Sequence, residues 1–460
     1  MVFLRLFIIL TLFWLETTQA KTAAEQKLTY SKTSLENLLQ AHFALYQQAH
    51  DLALDLFLIE AIRHKDQRLL EESIHLALAK QNPKALISAT HQWVALIPNN
   101  SKALFFHSVA YAYNGKLATA IQVMRQAEKQ GAVTDYTWLV SLSDKAIEKE
   151  QQQAIEWLGF AETKACDNFD AILALSLLLT KTGQTENVPL LLDKALIFGQ
   201  HHPSTFAISS GIYLSLNQAD KAQDALQQGV NLHPRQYQLR FQLAQLLEDN
   251  APNNALAHYE FLHYSSPHNA QYIQGIANTH KRLKQPNDAL AWLMKLAETQ
   301  YKNQAYLQMA EIASAQSQNQ QALNHLRSID TDKQNDQVKA KIIKLLIKLG
   351  QTKEARQLLK RLLKEKRESN APQLIVYQML WIDLLEQQNQ PKKAFKQLNR
   401  WLNEHPDEPL FLLKSALLAS TFMTPKDFKN TIQGLLQKTA FKTSLLERIG
   451  EFLAKQTQKD

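Results

Sequence analysis

Large, small and polar residues alternate along this chain with the period of a helix, and the alternation itself recurs. Residues 206–234, FAISSGIYLSLNQADKAQDALQQGVNLHP, show the unit. Phe206, Ser209, Ser210 and Tyr213 fall on one helical face, and Ala222 and Leu226 on one face of a second helix that Pro234 closes. With Ala222 as reference, equivalent positions recur at Ala120, Ala154, Val188, Ala255, Ala289, Ala322, Ala355, Ala394 and Phe428. Successive spacings from Ala120 are 34, 34, 34, 33, 34, 33, 33, 39 and 34 residues, with weaker equivalents upstream at Ala53 and Ala85. The beat predicts about twelve stacked helix pairs over residues 34–438.

The prolines give the same register. Pro252, Pro286, Pro391 and Pro425 each precede a reference position by three residues, where the second helix should begin. Proline is tolerated there because a first-turn N–H has no intrahelical partner. Pro83 and Pro189 fall in the same opening turn, Pro203 and Pro409 open first helices, and Pro98, Pro234, Pro267 and Pro406 close second ones. Pro372 lies in the one irregular spacing, where KEKRESNAP (364–372) reads as a charged loop. A stripe of Phe441, Leu445, Ile449 and Phe452 predicts a solvating cap over residues 439–460.

The unit resembles the tetratricopeptide repeat, a 34-residue helix-turn-helix with the signature W-x2-L-G-x2-Y…A-x3-F…P. The resemblance implies an all-α solenoid in a right-handed superhelix, whose first helices line a concave groove for a peptide or a partner's helix. Carrying over groove positions 2, 5, 9, 12 and 13 gives an apolar front (Phe105, Val109, Tyr113, Tyr136, Leu139, Leu173). The middle and rear are polar and basic: Tyr237, Arg240, Gln274, Asn278, Lys281, Arg282, Lys344 and Lys348. Between them Ser204, Ala207, Gly211 and Leu214 leave a roomy centre. Arg240 with Asn278, Lys281 and Arg282 resembles a carboxylate clamp for a peptide C-terminus, although the order of residues departs from a full clamp.

Composition narrows the setting. The chain has 460 residues, a formal charge of +8 and a single cysteine, Cys166, so it can form no intramolecular disulfide. Residues 331–400 hold sixteen Lys/Arg against seven Asp/Glu, which concentrates the positive charge there. Lys339, Lys341, Lys344, Lys348, Arg356, Lys360, Arg361 and Lys364 recur at helical spacing; they form solvated faces or attract an anionic ligand. At the N-terminus, Arg5, a ten-residue apolar run from Leu6 to Leu15, and Thr18-Gln19-Ala20 predict a signal peptide over residues 1–20, followed by a flexible lead-in over 21–33. Ten residues are too few to span a bilayer, so no membrane span is expected after cleavage. Lys21 follows the cut, so no lipid-modified cysteine is expected, and the chain should reach the periplasm.

No chemistry-bearing motif emerges. There is no glycine-rich phosphate loop, no H-E-x-x-H and no G-x-S-x-G; Ser209 and Ser210 sit at packing positions. His201 and His202 lie at a turn, His258, His263 and His268 do not share a face, and Cys166 reads as a small hydrophobe. Trp93, Trp138, Trp157, Trp292, Trp381 and Trp401 read as core or inter-repeat seams. No enzyme activity, cofactor or metal is therefore expected, and no nucleic acid, because aromatic residues do not interleave with the cations.

The run HFALYQQAHDLALDLFLIEAIRHKDQRLLEESIHLAL (42–78) and ALISATHQWVALIPNNSKAL (85–104) is similar to the opening of periplasmic tetratricopeptide-repeat lipoproteins of gammaproteobacteria. One pseudomonad group of these serves as adaptor between a carboxyl-terminal processing protease and cell-wall hydrolases. That resemblance, clearest over residues 30–115, implies a periplasmic adaptor with a protease and hydrolases as partners. The chain departs from those lipoproteins in having Lys21 where they carry the lipid-modified cysteine, so outer-membrane anchoring is not expected. The alternative is a subunit of an envelope polysaccharide synthesis or export machine, with the basic segment facing an anionic glycan.

Overall fold

A computed structural model describes residues 31–163, 167–369, 371–405, 408–424, 427, 428 and 431. The expected signal peptide, most of the lead-in, Cys166, Pro406, Pro425 and the capping helix at 439–460 lie outside the described residues. Those described form twenty-three α-helices and two short 3-10 turns. None of the helices among them is long and apolar enough to cross a membrane.

The chain divides into two compact units, Met1–Gln242 and Leu243–Asp460. The first holds five helix pairs, α1 (Lys32–Tyr46) with α2 (His50–His64), α3 (Gln67–Ala79) with α4 (Pro83–Leu96), α5 (Ser101–Tyr113) with α6 (Leu117–Lys129), α7 (Tyr136–Leu142) with α8 (Glu148–Leu158), and α9 (Phe169–Lys181) with α10 (Val188–Phe198). A sixth pair follows, α11 (Pro203–Ser215) with α12 (Ala219–Leu232), and the division falls inside α13 (Tyr237–Leu247). The second unit continues with α14 (Pro252–Ser265), α15 (Ala270–Arg282), α16 (Pro286–Leu296), α17 (Lys302–Ala315), α18 (Asn319–Arg327) and α19 (Asp336–Lys348). It goes on through α20 (Thr352–Glu368), α21 (Leu374–Gln387) and α22 (Pro391–Glu404) to α23 (Pro409–Phe422). Within each unit the second helix of a pair packs on its pair-mate and on the first helix of the following pair; the short α7 is the exception, and α8 packs on α6 and α9 instead.

The two helices of a pair start by different means. Most first helices begin at a side-chain cap: Asp66, Asn100, Asp135, Asn168, Asn269 and Asn335 each accept from a first-turn backbone N–H. Second helices more often begin at proline, as at Pro83, Pro252, Pro286 and Pro391. The reference positions are the points of closest packing. Ala53, Ala120, Ala154, Val188, Ala222, Ala255, Ala289, Ala322, Ala355 and Ala394 are all fully buried.

Three expectations change. Ala85 is only half-buried, and Leu86 takes its place in the core; the interval to Ala120 is then 34 residues, like its neighbours. The charged run after Lys364 is not a loop through its length, because α20 continues to Glu368. Lys364–Glu368 and Lys366–Asp336 ion pairs (3.9 and 3.0 Å) hold that extra turn, which absorbs the 39-residue spacing. Trp157 is 41% exposed and so is not core, whereas Trp93 is fully buried.

Buried tyrosines tie repeats together. Tyr136 donates to Glu128 (2.8 Å), Tyr213 to Asp193 (2.9 Å), Tyr259 to Glu248 (2.6 Å) and Tyr377 to Asp336 (2.7 Å). Burial and the neighbouring carboxylate push each hydroxyl well above its ordinary range, so each stays a donor. Behind Tyr259, Gly275 has no room for a side chain: a Cβ there would lie 2.4 Å from the ring.

Candidate functional site

The first helices carry the positions that reach a partner in a helix-pair array, and their sequences decide how much reaches solvent. Helices α5, SKALFFHSVAYAY, and α9, FDAILALSLLLTK, are apolar on every side, and nine of the thirteen residues in each are buried. Phe105, Val109, Tyr136, Leu139 and Leu173 are therefore interior. Phe105 lies against Phe106 and Trp138 (centroids 5.4 and 6.1 Å apart), and Tyr136 is fully buried with its hydroxyl on Glu128. These side chains are packing residues and offer nothing to a partner; of the apolar front, only Tyr113 is part-exposed. On α11, Ser204, Gly211 and Leu214 are exposed, with open space around Gly211.

The second unit is different. Asn278 and Lys281 on α15 are half-exposed, and Lys281 reaches Gln308 on α17 (3.5 Å). Lys344 and Lys348 on α19 are exposed and form no ion pair among the described residues, while Lys341 on the same helix pairs with Glu311 (2.7 Å). Arg282 is already committed: its guanidinium contacts Asp249 closely and Glu248 at 3.5 Å. A guanidinium held by two carboxylates is poorly available to a third, so Arg282 does not serve the expected clamp. Tyr237 (38% exposed) and the half-buried Arg240 belong to the first unit.

Two further helices complete the row. Among the same positions on α21 and α23, Val376, Leu410, Leu413 and Leu417 are apolar and 48, 53, 37 and 37% exposed, while Asp383 and Glu386 are acidic and half-buried. This apolar stripe was not among the expected site residues, although the register counted back from Phe428 points to it. Beside it, Lys414 bonds Asp383 (3.1 Å) and Glu386 (2.6 Å). Burial alone would lower the Lys414 ammonium, but the hydrogen bonds and charges of Glu386 and Asp383 outweigh it and hold it above its usual range.

Fold and register define a class, an all-α array of tetratricopeptide-type helix pairs, and protein–protein interaction is what this scaffold supports. A tetratricopeptide repeat family model matches residues 313–375. The chain is similar to the TPR repeat-containing protein PA4667 of Pseudomonas aeruginosa, 20% identical over 226 residues. That match covers 49% of this chain and 38% of the length of the relative. Among solved structures, yeast Tom70 is 12% identical, with 93% of this chain and 96% of that one covered at a TM-score of 0.34. Pseudomonas aeruginosa pilF is 16% identical over 46% of this chain and 96% of its own, TM-score 0.34. YrrB, described as a TPR protein with an unusual peptide-binding site, is 14% identical over 48% and 96%, TM-score 0.30.

Proposed function

We propose that this protein is a non-enzymatic scaffold of the periplasm that holds partner proteins on the first-helix faces of its second unit. The observation that carries the reading is the solvent-facing row there, cationic at Lys344 and Lys348 and apolar at Leu410, Leu413 and Leu417. Apolar anchors beside charged rims are the pattern of a protein-binding surface. The N-terminal resemblance supports the more specific role of an adaptor that brings cell-wall hydrolases to a carboxyl-terminal processing protease.

The test uses the full chain as bait in envelope extract, as wild type, Leu413→Asp/Leu417→Asp and Lys344→Glu/Lys348→Glu. The wild type should retain a processing protease and a peptidoglycan hydrolase, and both variants should lose them while keeping the helical melting transition. Recovery of glycosyltransferases or export subunits in their place would favour the envelope-polysaccharide reading. Unchanged capture by both variants would remove the row from the interface.

A further inference from the structure

The two second helices α20 and α22 differ in charge from those before them. α20 carries seven Lys/Arg against three Asp/Glu, and α22 four against one. By contrast α14 has one acidic and no Lys or Arg residue, α16 one of each sign, and α18 a single Arg. All four carboxylates of α20 and α22 are already engaged. Glu354 pairs with Arg327 (2.5 Å), Glu365 with Lys366 (3.4 Å), Glu368 with Lys364 (3.9 Å) and Glu404 with Arg367 (2.8 Å). The last of these joins the C-terminal ends of α20 and α22.

What remains is a face of unneutralised cations. Lys353, Lys360, Arg361, Lys392, Lys393, Lys396 and Arg400 are exposed and form no ion pair among the described residues. The core side of α20 is set by Ala355, Leu359 and Leu362, and that of α22 by Ala394, Leu398, Trp401 and Leu402. At 100° per residue the cations fall opposite those stripes. From Lys353 to Arg361 the row runs about 12 Å along α20.

We propose that this outward face of α20 and α22 binds a linear polyanion, specifically a carboxylated glycan. Charge complementarity names an anion, and the shape of the face narrows it. None of the large exposed hydrophobic residues falls on α20 or α22. A bilayer would be expected to take an apolar wedge from an amphipathic helix, and a folded acidic partner an aromatic or aliphatic anchor. A flexible chain with charges at regular intervals needs neither, and it binds by releasing its counterions. This site lies on the second helices, apart from the first-helix row proposed to hold proteins, so either can fail without the other.

The experiment compares full-length wild type, Lys360→Gln/Arg361→Gln/Lys393→Gln/Lys396→Gln, and a control of equal net charge, Lys80→Gln/Lys84→Gln/Lys116→Gln/Lys149→Gln. The probe is polygalacturonate, titrated over a salt series, with neutral dextran alongside. The face variant should bind about tenfold more weakly than wild type at low salt, and its slope of log K against log salt should be shallower by about three. The control should keep the wild-type slope. Equal weakening of both variants would reduce the effect to net charge and overturn the site. So would wild-type binding to polygalacturonate no tighter than to dextran, or binding confined to phosphatidylglycerol vesicles, which would give the face to a membrane.

Discussion

Helices α5 and α9 in the first unit and α15 and α19 in the second hold the same place in their repeats, yet they meet their surroundings differently. The former bury nine residues of thirteen, the latter five and six. Backbone geometry is common to all four, so side chains make the difference. α5 and α9 have Phe, Val and Leu at positions where α15 and α19 have Gln, Asn and Lys. One fold thus spends some first helices on cohesion and leaves others for contact. A position number carried over from the repeat therefore identifies a candidate, and burial decides whether it is a site.

The sharpest way to break this comparison is to place one charge in each region. Leu173→Asp on α9 puts an unpaired carboxylate where the side chain is 1% exposed, and should cost about 3–5 kcal/mol. Leu417→Asp on α23, 37% exposed, should cost less than about 1 kcal/mol. Urea unfolding of the two variants checks the pair. Equal losses would mean that the stripe on α23 is packed as tightly as α9.

Much of the fold was legible because its signals are local. Buried small residues at a 33- or 34-residue interval and prolines at helix starts need no knowledge of neighbours, and nearly all the reference positions are where the spacing placed them. Ala85 failed because Ala85 and Leu86 are both plausible core residues, and only packing separates them. The candidate site was less legible. The burial of Phe105 and Tyr136, and the capture of Arg282 by Glu248 and Asp249, depend on residues from other helices that no motif announces. The stripe at Leu410, Leu413 and Leu417 follows from the register, but helical leucines are more often core than contact residues, and only burial separates the two.

A second test of the buried region is its response to acid. His107 on α5 lies between Tyr111 and His91, and its Nδ1 is 3.0 Å from Thr90 Oγ1. Thr90 donates its own proton to the Leu86 carbonyl (2.9 Å), so the imidazole supplies the proton of the contact from Nδ1. Burial, with a smaller contribution from His91, pulls His107 down to about 4. The unfolded chain therefore takes up this proton first. Stability from the neutral ring is intact above pH 6.5 and drains away as pH falls towards 4. His107→Gln should flatten the dependence of the urea midpoint on pH over that window. A slope unchanged in the variant would place the titration elsewhere.

The smallest effects belong to the turns, where each unit solves one problem with more than one kind of residue. Five residues before the reference position, the turn inside nine of the helix pairs holds a residue in the left-handed region. Glycine fills it at Gly115, Gly183 and Gly350, but Gln48, Gln81, Asn217, Lys284, Ser317 and Asn389 adopt it with φ between 53 and 62°. A Cβ at Gly350, φ 71°, would meet nothing within 4 Å, so the cost of Gly350→Ala is conformational alone, about 1 kcal/mol. The reverse change gains less, because glycine loses more backbone entropy on folding. Ser317→Gly should raise stability by about 0.5 kcal/mol, and Asn217→Gly by less, since asparagine tolerates this conformation better than serine. Melting temperatures that rank Ser317→Gly above wild type and Gly350→Ala below it would tie the turn to backbone preference. An unchanged Gly350→Ala would show that the turn shifts to fit its residue, and the interval of five would then be a product of packing.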